Sequence, residues 1–251
     1  MLLVPALVLR RARRYLLDFV PFGVLIMLYA QARGLAHILH PQPFYMPQFR
    51  AEKFLFGGQF PTLDLQRWLW TGSSSWYDWT VSETTKIHFL VPPLLAFALW
   101  LKRRALFYRF GATMILLSYA SAVTFALFPA APPWAASNTG RIPRIMLLSD
   151  ARPSSIPSGS HSSHLWNPYA AIPSLHAGYA LLAFLFVAMV FWGTRWRWWA
   201  VGVGVLYPLA QSFAVVYTGN HYVVDLLIGC VYAAAAFVGV RWFWRRRGWP
   251  E

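Results

Sequence analysis

Acidic side chains are scarce in this chain. Eight Asp and Glu stand against 22 Lys and Arg in 251 residues, a formal net charge of +14, and charged residues make up 12% of the whole. Soluble domains carry about 25% charged residues. With 58% of its residues hydrophobic, the chain holds more apolar surface than one soluble core takes up, so it reads as an integral membrane protein. Cysteine is nearly absent: Cys230 stands alone in an apolar run, which excludes an intrachain disulfide framework. No recognition motif or basic helix accompanies the positive charge. The basic residues fall between apolar runs and read as topology signals, not as a nucleic-acid surface. Arg greatly outnumbers Lys, a compositional hint of a GC-rich bacterial genome. No internal repeat is evident.

Long apolar runs are what the sequence does have. Six segments approach the ~20 residues a spanning helix needs: 15–33, 87–101, 106–128, 173–193, 197–217 and 221–243. The second is short unless its helix begins earlier, near Trp79. The expected fold is all-α, one bundle of six transmembrane helices in a single membrane domain spanning 1–251, with the core over about 76–243. The clusters RRARR (10–14), KRR (102–104), RWR (195–197) and RRR (245–247) flank alternate helix ends. One topology gathers all four in the cytoplasm, with both termini inside and the loops 34–85 and 129–172 outside. A basic stretch, an apolar run and AQA at 30–32 loosely fit a cleaved signal peptide, but removal would leave an odd number of spans, so a retained first helix is expected. In the outer loops, LDLQRWLW (63–70) places Leu65, Trp68 and Leu69 at helical spacing and predicts an interfacial helix.

Two acids fall inside the predicted spans. Asp18, one turn from Arg14 near the inner end of the first helix, is explained by snorkelling beside a basic neighbour. Asp225 is costlier, because an acid at the centre of a membrane helix is unfavourable by ~2.5–3.5 kcal/mol. His221 precedes it by four residues, a spacing that on a helix lets the carboxylate fix the imidazole tautomer and leaves the other ring nitrogen with a lone pair. Such a histidine is a nucleophile or general base. His176, in PSLH (173–176) at the head of the fourth span, falls at the same outer level in this topology. Pro173 suits a first helical turn, and the unbonded N–H groups there, with Ser174, favour an anion such as phosphate. The seven histidines all fall on the outer side, but none forms a His-Glu-x-x-His pair, so neither metal nor cofactor is expected.

PSLH heading one helix and YTGNHYVVDLLIG (217–229) heading another resemble the second and third motifs of the phosphatidic acid phosphatase type 2 superfamily. That family's second motif usually reads Pro-Ser-Gly-His, and here Leu175 replaces Gly. Its third motif usually begins Ser-Arg, where this chain has Ala214 and Val215. Its first motif, Lys then six residues then Arg-Pro, has a nearest counterpart in Arg144 followed by RP at 152–153, one residue too long. These departures, with FPAAPPW (128–134) and HFLVPP (88–93), are similar to the inositolphosphotransferase branch, which includes inositol phosphorylceramide synthase. PSGSH (157–161) also resembles the second motif, with one residue inserted, but no apolar run follows it.

The resemblance implies that His221 attacks phosphorus to form a phosphohistidine, that Asp225 holds its tautomer, and that His176 serves as acid and then base. Water as acceptor would give a phosphatase; inositol or another alcohol would give a transferase. Ser174, Arg144, Arg152 and Lys86 are the candidate phosphate ligands, and His88 and Trp134 are further candidates at the substrate. The substrate would be a lipid phosphate or phospholipid met at the outer face of the cell membrane. The competing reading is a catalytically degenerate membrane protein that binds or transports an anionic lipid, motivated by the missing basic residues. A soluble vanadium haloperoxidase is disfavoured, because vanadate binding relies on those same residues.

Overall fold

A computed structural model describes residues 12–39, 42–148 and 167–248, with the backbone alone at 36–38. Eleven helices run through these residues: α1 (Ala12–Leu39), α2 (Pro47–Leu55), α3 (Pro61–Leu69), α4 (Trp76–Lys86), α5 (Val91–Lys102), α6 (Arg104–Leu127), α7 (Pro133–Asn138), α8 (Leu175–Phe191), α9 (Arg197–Gly204), α10 (Leu206–Tyr217) and α11 (Val223–Arg246). The all-α expectation holds for them.

Among the described residues four stretches are long and apolar enough to cross a membrane: Ala12–Leu35, Arg104–Leu127, Arg197–Tyr217 and Val223–Arg246. A fifth crossing arises if α4, the 3-10 turn Ile87–Phe89 and α5 count as one span bent by 43°. The bend has a covalent cause. Pro92 and Pro93 have no N–H to give to His88 and Phe89, so the helix breaks and restarts at α5. The second span thus begins at Trp76, close to the start near Trp79 that its length required. Helix α8 has 17 residues, below the usual spanning length.

Helix α8 lies at the centre, packed on α5, α6, α9, α10 and α11. Its Ala177, Ala180 and Ala183 are buried and let neighbouring backbones come close, while Leu182 and Phe186 join Phe107, Phe110, Leu117 and Ala233 in the main core. Helix α1 is peripheral. It packs mainly on α6 and leaves Leu17, Val20, Val24, Met27 and Leu28 exposed on its other side. Asp18 is held differently from the sequence expectation. Its carboxylate accepts hydrogen bonds from Trp100 Nε1 (2.7 Å), Tyr108 Oη (2.7 Å) and the Arg104 guanidinium, 2.7 Å away, so it ties α1 to α5 and α6 across helices and not to Arg14 along its own.

The segments between the long helices form a cap at one end of the bundle. The expected helix at 63–70 is present as α3, and its packed face mixes Leu63 and Leu65 with polar side chains. Thr62 and Gln66 are buried, and Trp68 is 80% exposed. Gln66 Nε2 donates to the carbonyls of Met146 and Tyr217, both at 2.8 Å, and its Oε1 accepts from Met146 N–H. The exposed Trp68 leaves an apolar surface for a lipid interface, as the pattern at 63–70 led one to expect, while Gln66 satisfies backbone groups of the neighbouring segments. Tyr217 Oη donates to buried Asp78 of α4, closing the cap over α10. Two isolated β-bridges, Phe44 with Ala130 and Ala130 with Ala170, align the segment that leads into α8.

Candidate active site

The two motif segments meet at one end of the bundle. Ser174 is the N-cap of α8, so Pro173 lies before the helix and not in its first turn; the Ile172–Pro173 peptide is cis. Ser174 is fully buried. Its Oγ faces Ala177 N–H at 3.5 Å and its own N–H donates to the Asp225 carbonyl at 3.0 Å. Ser174 therefore caps and docks the helix head, and its side chain does not line the cavity described below.

On the other segment, α11 starts at Val223 with Tyr222 as N-cap, so His221 precedes the helix and Asp225 is its third residue. The four-residue spacing is not one of two helical neighbours. Asp225 reaches back instead: Oδ2 accepts from Tyr222 N–H at 3.0 Å and stands 3.4 Å from His221 Nδ1. That last distance is longer than a well-formed hydrogen bond and reads as an electrostatic contact. Asp225 is 0% exposed, and burial leaves His221 Nδ1 as the partner its remaining charge requires.

His221 Nε2 lies 3.0 Å from His176 Nδ1. If Nδ1–H of His221 faces Asp225, Nε2 carries the lone pair and accepts from His176. His88, at the broken span, completes a row of three imidazoles: its ring centroid is 4.0 Å from that of His176, and its Nδ1–H donates to the Thr85 carbonyl at 2.6 Å. This bond fixes the tautomer and leaves Nε2 without a proton.

The row opens onto a cavity of about 320 Å³ whose polar rim holds His88, His176, His221 and Arg33, while Leu175, Tyr179, Phe89, Pro92 and Phe125 supply apolar wall. Of the residues singled out in the sequence, His176, His221 and His88 come together here, with Asp225 behind. Lys86, Arg144 and Trp134 do not line it. Lys86 is exposed and paired with Glu83 at 2.5 Å, Arg144 lies on a separate pocket beside Ile142 and Ile145, and Trp134 belongs to α7, whose N–H at that residue meets the Gly219 carbonyl. Arg152 lies outside the described residues, as do PSGSH and His40, His161 and His164; the His37 side chain does too. Among the described residues no group of three or more His, Cys, Asp or Glu could hold a metal ion.

Two charged residues went unremarked in the sequence. Arg33 lines the cavity from the C-terminal part of α1; a lone arginine at the far end of that apolar helix from the RRARR cluster was the available signal. Glu52 of α2 is 0% exposed, and its Oε2 accepts from Val224 N–H at 3.3 Å, so two carboxylates sit at the head of α11. Burial, with Asp225 close by, pushes the Glu52 carboxyl up to about 7 from 4.5 despite hydrogen bonds from the Val223 and Val224 amides. No sequence pattern joins an outer-loop glutamate to a motif 170 residues later.

Apolar helices long enough to cross a membrane, with a buried His-His-Asp cluster and a cavity at one end of their bundle, define a multi-pass membrane protein with a candidate reaction centre. Residues 62–239 match the PAP2 superfamily, and the chain belongs to it. It is also similar to a phosphoinositol dihydroceramide synthase of Bacteroides thetaiotaomicron, with 24% identity over 153 residues. That alignment covers 55% of this chain and 47% of the relative, so the chain matches about half of that protein's length. No solved structure matches.

Proposed function

We propose that the protein is a lipid-phosphate phosphotransferase that works through a phosphohistidine at the extracytoplasmic face. The observation that carries the reading is the 3.0 Å approach of His176 Nδ1 to His221 Nε2 with buried Asp225 behind the other nitrogen of His221. His221 Nε2 attacks phosphorus; the P–N bond forms as the bond to the leaving oxygen breaks, and His176 gives that oxygen a proton. In the second step His176 takes the proton of an acceptor hydroxyl, whose oxygen displaces Nε2. Asp225 holds Nδ1–H throughout and stabilises the charged ring. The histidines touch in the free protein, so a phosphoryl group enters only as the His176 ring swings aside.

Six crossings fit this reading when α8 and the bent pair both span, with the termini in the cytoplasm and the three-histidine row outward. The transferase branch is supported by Leu175, which adds apolar wall where a glycine would leave room for water, and by the similarity to the Bacteroides synthase. Inositol or another alcohol is then the acceptor, and no metal ion takes part. The test compares wild type with His221→Ala on lipid phosphates in detergent, with and without inositol. The reading expects product from the wild type and a loss of at least ~1,000-fold in the variant; equal turnover by both overturns it. Lipid binding retained by both proteins with no turnover by either would favour the non-catalytic alternative.

A further inference from the structure

Helix α1 lies outside the segment that matches the family, yet one of its faces forms a wall of the reaction cavity. Phe22, Ile26, Tyr29 and Arg33 all line it. Their spacing of four, three and four residues puts them in one stripe along the helix. The stripe is graded. At its outer end Arg33 stands within electrostatic reach of His88, His176, Tyr29 and Tyr179. Inward from it the lining is apolar: Ile26 and Phe22 on α1, facing Phe89, Pro92 and Met114. From Arg33 to Phe22 the stripe runs ~16 Å at 1.5 Å per residue. A slot with a cation and imidazoles at one end and hydrocarbon along the rest has the shape and polarity of a single-chain phosphate amphiphile.

Two further observations point to a ligand. The Tyr29 side chain is 7% exposed, and its hydroxyl has no hydrogen-bond partner among the described residues. A buried hydroxyl without a partner costs about 1–3 kcal/mol, which a phosphate oxygen arriving at the cavity would offset. Arg33 is also the one Lys or Arg lining the cavity among the described residues. A phosphate leaving water for such a site needs a cation beside it, and of the cations expected from the sequence Lys86 and Arg144 lie elsewhere, while Arg152 is outside the described residues.

We infer that α1 is the substrate-recognition helix: Arg33 and Tyr29 hold the phosphate oxygens of a lipid phosphate, and Ile26 and Phe22 hold its hydrocarbon chain. The inference rests on the reading of the cavity as a phosphate site. It makes α1 the lateral wall between the reaction centre and the surrounding lipid, so substrate enters from the bilayer with its head group already at the outer level. Arg33 acts on the ligand directly and not through His176.

Binding tests this without relying on turnover. Dodecyl phosphate and inorganic phosphate are titrated into purified full-length protein in detergent, and the rise in thermal midpoint is read for wild type, Arg33→Gln, Arg33→Lys and Ile26→Trp. The inference expects Arg33→Gln to weaken both probes at least tenfold and Arg33→Lys to recover part of the loss. Ile26→Trp, which fills the slot, should weaken dodecyl phosphate at least fivefold and leave inorganic phosphate unchanged. If Arg33→Gln fails to fold, Arg33→Lys and Ile26→Trp still decide. Wild-type affinity for both probes in all variants overturns the role of α1 and leaves the phosphate site standing. A loss in Arg33→Gln alone overturns the hydrocarbon half. A wild type that binds neither probe overturns the phosphate reading of the cavity itself.

Discussion

Gly229 lies so close to Ser174 that a Cβ on it would stand 2.2 Å from the Ser174 carbonyl oxygen. Four residues earlier on the same helix, the Asp225 carbonyl receives the Ser174 N–H. The head of α8 and the first turns of α11 are therefore in backbone contact, and that contact sets the distance between His176 and His221. Gly178 adds to it, with the Gly229 carbonyl 3.3 Å from where its own Cβ would be. Gly229→Ala should push the two helices apart, destabilise the protein by about 1–3 kcal/mol and lower activity at least tenfold. Gly239 is the control. It sits on the same helix with nothing within 4 Å of its missing Cβ, so Gly239→Ala should be neutral or slightly stabilising. Thermal midpoints and turnover in detergent check both.

Asp225→Asn tests orientation separately from packing. The amide keeps the volume and its oxygen can still accept from Tyr222 N–H. The substitution removes the negative charge that makes His221 keep its proton on Nδ1. In the comparable Ser-His-Asp arrangement the same exchange lowers kcat by ~10⁴. A loss of about 10³-fold or more in kcat with little change in KM is expected here, and steady-state kinetics would show it.

Glu52 predicts a pH effect on stability. Its carboxyl is pushed up to about 7 in the folded protein from 4.5. Between those values the folded state binds the proton more tightly than the unfolded state does, so stability falls as pH rises through that window, and the loss is complete above about 7. Glu52→Gln keeps an oxygen for Val224 N–H and removes the titration. The thermal midpoint of the wild type should drop between pH 5 and pH 8 by more than that of the variant. Parallel profiles would contradict the assignment.

Leu175 should govern the choice of acceptor. Its side chain walls the cavity next to His176. Leu175→Gly opens room for water, at a cost of about 1 kcal/mol in the first helical turn. The ratio of hydrolysis to alcohol transfer should rise several-fold. An unchanged ratio would remove Leu175 from the acceptor argument.

Much of the site was legible because its parts are expensive. An acid in an apolar run and a histidine at each of two helix heads stand out in any membrane sequence, and Asp225, His221 and His176 do meet. Their local geometry was not legible, since the start of α11 after His221 turns an apparent helical pair into a residue reaching back past its own N-cap. Arg33 was missed for a different reason. It reaches the cavity through the packing of α1 on α6, a contact that leaves no periodic trace, whereas Arg144 was favoured by its spacing and Lys86 by its place beside the second span; Arg152 lies outside the described residues. The second span was expected to run unbroken through 87–101; that Pro92 and Pro93 break it and bring His88 beside His176 was not read. Glu52 was invisible for the same reason as Gln66: buried polar groups in outer segments follow the loop amides they satisfy, not the hydrophobic pattern.

The central claim is that His221 carries the phosphoryl group between donor and acceptor. The direct measurement is to mix the purified protein with a lipid substrate labelled on its phosphate, quench within the first turnovers in alkali, where a phosphohistidine survives, and map the label by mass spectrometry. The account predicts phosphate on Nε2 of His221 in the wild type, its accumulation in His176→Ala if the second step slows more than the first, and none in His221→Ala. Turnover by the wild type with no label on His221 at any quench time would contradict it.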